Sequence, residues 1–299
     1  MKWHAQAMSD QGAENRRTNV PRTESARLLT GRGRFIHAVS LPRMLHLAFL
    51  RSPVAHANIG LIDTAAAAGL PGVEAIYTAS DFASILAEIP QTKLDTMPGH
   101  VSPPQPPLAA EVVRFQGEPV VVVAADTLLR AEDAVATIHV EYNPLPAVSG
   151  ISTDRVDGDG IASVVEIGSG VEETDGIVRL EAEFSFGRQC GVSLEPRGIV
   201  ADYDPYEDRL TVSISHQSPH LVQVILARLF GMPENRVLVH AGDVGGSFGV
   251  KLHIYPDEIA AAACARLLAR PVKFIATRSE AFQSDAQARE FRASGSIYL

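Results

Sequence analysis

DRLTVSISHQSPHLVQVILARLFGMPENRVLVHAGDVGGSFGVK, residues 208–251, carries the pattern on which the fold turns. Leu210, Val212, Ile214 and His216 alternate with Arg209, Thr211, Ser213 and Ser215, the period of a strand with one buried face. The next residues read as a helix. Ser218 stands at a capping position, Pro219 suits the first turn, and Leu221, Ile225, Leu226 and Leu229 supply an apolar stripe before Gly231 and Pro233 stop it. RVLVH (236–240) reads as a short buried strand, and GDVGGSFGVK (242–251) follows it as a glycine-rich loop. A second helix, YPDEIAAAACARLLAR, has Pro256 near its start and two acids in its first turn; VKFIA (272–276) is the next strand. If these strands run parallel, Gln217 and the 242–251 loop both lie beyond strand carboxyl ends, where α/β sheets bind ligands.

Outward from this stretch, the chain divides in two. Residues 31–147 hold the strand-like runs MLHLAFL (44–50) and EPVVVVAAD (118–126), a helical TLLRAEDAVATI (127–138) and a further strand, HVEY. The fold class expected is α+β. The proline-dense TMPGHVSPPQPPL (96–108) predicts an extended surface loop. Residues 148–165, rich in Gly, Ser and Asp, read as an interdomain linker, and residues 1–30 as a polar N-terminal extension.

Charge and composition exclude several functions. With 26 basic and 35 acidic residues the net charge is −9, which offers no field to phosphate backbones or anionic lipid, so no nucleic-acid partner is expected. No stretch approaches the roughly 18 apolar residues of a membrane span, and no signal-peptide core opens the chain; a cytoplasmic location is the expectation. Cys190 and Cys264 are the only cysteines and form no CxxC, so any iron–sulfur cluster would sit on another chain.

Glycine without Cβ lets backbone N–H groups approach an oxygen-rich or anionic ligand and permits positive φ. Two familiar phosphate motifs fail on spacing. A P-loop requires GK followed by Ser or Thr, but Lys251 lies between Val250 and Leu252; the dinucleotide fingerprint requires glycine where Val244 stands. His216 and His220 read as a buried hydrogen-bonded residue and a helix-start residue rather than metal ligands, and His56 as a turn residue. Glu195 and Arg197 are candidates for a buried ion pair with each other, and Cys264 for a small core residue in an alanine-rich helix.

The ordered set GRGRFIHAVSLPRMLHLAFLRSPVAHANI, LEPRGIVADYDP, HQSPH, GDVGGSFGVK and YPDEIAAAACARLLARPVKFIATRSEAF resembles the molybdenum-binding large subunit of the xanthine dehydrogenase, aldehyde oxidase and carbon monoxide dehydrogenase family. The resemblance implies an α/β hammerhead domain over 31–147 and, over 166–299, the first part of a molybdopterin-binding α+β domain. It implies a molybdenum–pterin cofactor, molybdopterin or its cytosine dinucleotide form, whose metal is held by the cofactor's own sulfurs and takes no protein ligand. Gln217 matches the glutamine that hydrogen-bonds the cofactor, and Gly245, Gly246, Ser247, Phe248 and Gly249 match the loop lining the metal site. Phe248 and Leu252 are expected in the substrate pocket, Leu252 standing where purine-hydroxylating members carry a carboxylate.

The activity implied is hydroxylation of an aldehyde, heteroaromatic or similar small substrate, with water as oxygen source. Electrons would pass to a 2Fe-2S small subunit and an FAD-binding medium subunit. The family's catalytic base, a glutamate far toward the C-terminus, is not assigned here, and neither Glu195 nor Glu258 takes that role. The chain is therefore expected to be the N-terminal part of such a subunit, inactive without a chain supplying the C-terminal half. The alternative is a non-enzymatic remnant or a cofactor-binding or assembly module of the same fold.

Overall fold

The computed structural model describes residues 22–87, 105–147, 150 and 178–298; the expected 148–165 linker apart from residue 150, and most of the proline-dense loop, lie outside them. Residues 22–34 belong to a unit of their own, in which Ser25–Leu29 forms the one-turn helix α1.

The unit beginning at Phe35 is α+β, as expected. Its first half holds β1 (Leu45–Arg51), β2 (Ala57–Asp63), α2 (Ala65–Ala68), β3 (Val73–Tyr77), α3 (Ala79–Phe82), β4 (Val112–Val113), β5 (Pro119–Ala125), α4 (Leu128–Thr137) and β6 (His139–Pro144). The second half holds β7 (Arg179–Cys190), β8 (Gly198–Asp204), β9 (Arg209–Ile214), α5 (Pro219–Phe230), β10 (Val237–His240), α6 (Pro256–Leu268), β11 (Val272–Ile275), α7 (Arg278–Ser284) and β12 (Gln287–Tyr298).

Seven of these strands form one mixed sheet in the order β10-β9-β8-β11-β1-β5-β3, with β4-β2-β6 and β12-β7 as separate small sheets. The large sheet draws from both halves of the chain. They meet where β1 and β11 pair in parallel, Leu45 opposite Val272 and His46 opposite Lys273. β9 and β10 are parallel, so their carboxyl ends share one edge of the sheet. β8 separates β9 from β11 and runs antiparallel to both, so β9, β10 and β11 all run in one direction, as expected, with an antiparallel strand inserted between β9 and β11.

Packing explains the apolar run of β5, which is buried along its whole length. Val122 and Ala124 face a core shared with β1, β8, β9, α5 and α6, while Val121, Val123 and Ala125 face a second core with Ala131 and Ala134 of α4. A strand covered on both faces loses polar–apolar alternation. On α6, residues 256–265 are all buried, and the small side chains 260–263 let it lie close against the sheet, with Cys264 in that core as expected.

Three local expectations need correction. β10 is an edge strand with Leu238 half-exposed, so RVLVH is less buried than its composition suggests. In α5 the buried set is Val222, Leu226, Ala227, Leu229 and Phe230; Leu221 is exposed because the helix is rotated about one position relative to the expected stripe. Ser218 makes no side-chain cap, its N–H instead donating to His216 Nδ1, whereas Pro219 at the first turn and Gly231 at φ 61 end the helix as expected. The proline-dense loop also ends inward, with Leu108 fully buried.

Candidate active site

At the shared carboxyl edge of β9 and β10, Gln217 and the glycine loop meet. The Gln217 N–H donates to the Lys251 carbonyl at 3.1 Å, and the Ser247 hydroxyl donates to Gln217 Oε1. Ser247 also accepts the Lys251 N–H at 3.3 Å, and its carbonyl accepts the Val250 N–H at 3.0 Å, closing the loop into a tight turn. Among the described residues, the N–H groups of Gly246, Ser247, Phe248 and Gly249 find no protein acceptor. Four consecutive amides are thus available as donors beside an exposed glutamine.

The glycines answer to two different demands. At Gly245 a Cβ would lie 2.5 Å from Glu195 Cβ, so the residue is required by close packing inside the protein. Gly246 (φ +103) and Gly249 (φ +85) are required by backbone conformation. Phe248 adopts φ 52, a left-handed conformation that costs a non-glycine residue roughly 1–2 kcal/mol, and its side chain is 76% exposed. Neither burial nor backbone preference accounts for a phenyl ring there. Leu252, one turn further on, is also exposed.

Beneath the loop lies a buried polar anchor. Glu195 Oε2 accepts the Gly245 N–H (2.7 Å), the Ser215 hydroxyl (2.6 Å) and Lys251 Nζ (3.0 Å), and Oε1 accepts the Ile36 N–H (3.1 Å). Lys251 Nζ also donates to Ser215 Oγ at 2.7 Å and is 1% exposed. Burial by itself would raise the Glu195 carboxyl, but these donors outweigh it and hold it below its ordinary value. Burial dominates at Lys251 and lowers its ammonium despite the carboxylate beside it.

A second buried network stands behind the first. Arg197 makes a bidentate pair with Asp257 (2.8 and 3.2 Å), reaches Asp285 at 2.5 Å, and stacks 3.7 Å from the Tyr255 ring centre. Arg51, from β1, joins Asp257 at 2.8 Å and Glu280 at 2.7 Å. The expected Glu195–Arg197 pair does not form: Glu195 is taken by Lys251 and Ser215, and Arg197 by the two buried aspartates. Burial, reinforced by the Asp257 and Asp285 charges and opposed by the Arg197 charge 3.5 Å away and the Tyr255 amide, pushes the Glu258 carboxyl up to about 7. Glu258 Oε2 also accepts the Tyr255 N–H at 3.0 Å, so it is a structural cap of α6 remote from the exposed face of the loop.

The histidines sit as their positions predict. His216 is buried, accepting from the Ser218 N–H and bonded through Nε2 to the His253 carbonyl (3.2 Å), with its imidazolium disfavoured by burial; His220 is exposed in the first turn of α5. His56 Nδ1 meets the Pro146 carbonyl at 2.7 Å in a turn. Among the described residues, no group of three His, Cys, Asp or Glu side chains is placed to hold a metal, and no helix is long and apolar enough to cross a membrane. A separate cleft of about 300 Å³, lined by Leu47, Phe49, Phe274, Glu132 and Glu280, includes neither Gln217 nor the glycine loop.

Sequence reasoning misses Lys251 and Ser215 as the anchor of the loop. A lone lysine after a glycine run and a serine at a strand end have no periodic signature; the available signal is that LEPRG, HQSPH and GGSFGVK occur together. A built Cβ at Gly191 would lie 3.2 Å from Phe248 Cβ, so the segment before LEPRG forms a further wall of the site.

Comparison with known proteins defines the class. Residues 30–146 match the aldehyde oxidase and xanthine dehydrogenase a/b hammerhead domain, and residues 160–299 the molybdopterin cofactor-binding domain. The chain belongs to the family of molybdenum-binding large subunits that includes the xanthine dehydrogenases, aldehyde oxidases and carbon monoxide dehydrogenases, and it corresponds to their N-terminal portion. It is 37% identical over 284 residues to the nicotine 6-hydroxylase large subunit of Paenarthrobacter nicotinovorans, covering 91% of this chain and 34% of that one. It is 33% identical to the carbon monoxide dehydrogenase large chain of Hydrogenophaga pseudoflava, covering 92% and 36%. Among solved structures, quinoline 2-oxidoreductase from Pseudomonas putida 86 superposes with a TM-score of 0.82 at 38% identity, over 93% of this chain and 36% of that one. The chain spans about a third of the length of the relatives it matches.

Proposed function

We propose that this chain forms one wall of the cofactor and substrate site of a molybdenum hydroxylase that oxidises a small heteroaromatic compound with water as oxygen source. The observation that carries the reading is the meeting of Gln217 with four unpartnered loop amides, Gly246 to Gly249, over a buried Glu195–Lys251 anchor. That donor set suits a neutral or anionic oxygen-rich group, since among the described residues no carboxylate accepts from the free amides and the Glu195 oxygens are occupied from behind. Bound there, a molybdenum–pterin cofactor would supply the redox chemistry. Gln217 and the amides of Gly246 to Gly249 would hold and orient it, and Ser247 would fix the Gln217 carbonyl so that its amide N–H₂ faces the ligand. The electrons would leave through a 2Fe-2S small subunit and an FAD-binding medium subunit.

Substrate preference is read from Phe248 and Leu252. An exposed phenyl ring held in a strained conformation is what a flat apolar substrate packs on, and no charged side chain at 252 grips a polar heterocycle. The relatives named for nicotine and quinoline act on heteroaromatic rings, which agrees with that wall. The remaining catalytic groups, including a base, would come from a polypeptide equivalent to the other two thirds of the relatives.

The test is metal and pterin content of the protein purified from its native cells as the complex it forms. Phe248→Ala and Gln217→Ala, both at exposed side chains, are expected to lower molybdenum occupancy or turnover of quinoline-type substrates at least tenfold, with stability changed by no more than about 1 kcal/mol. Wild-type complex without molybdenum or pterin overturns the reading, as does undiminished occupancy and turnover in both variants.

A further inference from the structure

The two-stranded sheet of β7 and β12 pairs with no other strand among the described residues. Its register puts Leu180 opposite Ile297, Phe184 opposite Ala293 and Phe186 opposite Phe291, with the two phenyl rings 4.9 Å apart. Side chains alternate across a strand, so these residues share one face. The intervening Arg179, Glu181, Glu183 and Ser185, opposite Tyr298, Ser296, Ser294 and Arg292, share the other. One face is therefore apolar and the other mainly polar over residues 179–186 and 291–298, and the apolar pattern stops at the Arg188–Arg289 pair nearer the base. Yet Leu180, Phe184, Phe186, Phe291 and Ile297 are each between 42% and 57% exposed. A lone hairpin-like ribbon is at best marginal in water, and strict one-sided patterning is the mark of a face that is covered.

Area selects the occupant. The apolar stretch from Leu180 to Phe186, at about 3.3 Å per residue, is roughly 23 Å long and about 10 Å wide, an apolar face of about 230 Å². Two copies of this chain pressed ribbon to ribbon would bury about 460 Å² in total, well below the roughly 1,200 Å² of a stable specific interface. A larger partner can cover more. The base of the ribbon runs through Cys190 into Gly191, which touches the Phe248 and Val250 positions of the glycine loop. A polypeptide laid along the apolar face thus reaches the open side of the site and adds that area to the interface. The matched part is about a third of the length of these relatives, so about two thirds of each lies outside it.

We infer that the Phe184–Phe186–Phe291 face of the β7–β12 ribbon is the docking surface for a polypeptide equivalent to that remaining two thirds, whether it is carried in cis or in trans. The inference rests on the proposed function for the identity of the partner and on the ribbon for its place. Covering this face closes the candidate site from the Phe248 side.

The test uses the full chain, tagged and expressed in its native cells, with the photo-crosslinking amino acid p-benzoylphenylalanine at Phe184 or Phe291 and, as control, at Glu183 on the polar face. Crosslinked peptides are identified by mass spectrometry, and molybdenum is measured in the same preparation. Crosslinks from 184 and 291 to sequence that aligns with the unmatched part of the large subunits, at least fivefold above those from 183, are expected. Crosslinks only to a second copy of the chain, equal yields from both faces, or none at all overturn the inference. Absent crosslinks with molybdenum bound sink the docking surface and leave the proposed function standing; the expected crosslinks without molybdenum do the reverse.

Discussion

If Glu195 and Lys251 anchor the glycine loop, exchanging them should reveal a strong coupling. Glu195→Gln keeps the shape but leaves Lys251, 1% exposed, as a buried ammonium with neutral acceptors in place of its carboxylate partner. Breaking one side of a buried pair costs about 3–5 kcal/mol, and the 10% exposure of Glu195 places this variant near the lower end. Lys251→Met leaves the carboxylate with three neutral donors, the Gly245 and Ile36 amides and the Ser215 hydroxyl, and should cost about 1–2 kcal/mol. The double variant removes both charges, so its cost should fall short of the sum of the two by at least about 1.5 kcal/mol. Urea denaturation followed by circular dichroism at pH 7 measures all three, and about 1 M salt should change the coupling little because the pair is shielded from solvent. Amide exchange at Gly245 should accelerate in Glu195→Gln, since that N–H donates to the carboxylate. Additivity within about 0.5 kcal/mol, or a cost of Glu195→Gln under about 1 kcal/mol, would refute the reasoning.

Three further outcomes follow from the same buried chemistry. Glu258 has its carboxyl raised to about 7 from an ordinary 4.5, so the folded state binds its proton more tightly and its contribution to stability grows as pH falls from about 7 toward 4.5; Glu258→Gln should flatten that rise, by at most about 3 kcal/mol, in pH-dependent urea titrations. Glu195 is depressed, so its contribution is present above its ordinary value of 4.5 and is lost as pH falls through its lower folded value; the protection of the Gly245 amide relative to a free amide should fall over that acid range and hold steady above it. Gly245→Ala places a Cβ 2.5 Å from Glu195 Cβ and should destabilise by about 1–3 kcal/mol, and Arg197→Met, which strands Asp257 and Asp285, by about 3–5 kcal/mol; thermal melts that match wild type in either case contradict the packing described.

Physically, the site is a loop whose hidden side is tied down so that its outer side can present bare amides. The Glu195 carboxylate takes the one loop amide that points inward, and the next four remain for a ligand. Arg51 and Arg197 converge on Asp257, a residue of α6, and so join β1 of the first half to the helix that follows the loop. Motion between the two halves at this point would expose a buried ion network.

Much of this was legible in residues 208–251. The alternation of β9, the Pro219 and Gly231 punctuation of α5 and the glycine run depend on side-chain period and backbone conformation, which neighbours in sequence determine. Even the approach of Gln217 to the loop follows from two strand–helix units that cross over with the same hand. What tertiary structure alone decided is which partners the charged residues take. Glu195 could reach Arg197 in sequence but is bound to Lys251, 56 residues away, because burial favours the arrangement that pairs both buried cations with acceptors. The rotation of α5, the exposure of β10 at a sheet edge and the joining of both halves through β1 and β11 likewise depend on what packs against each element, which no local period records.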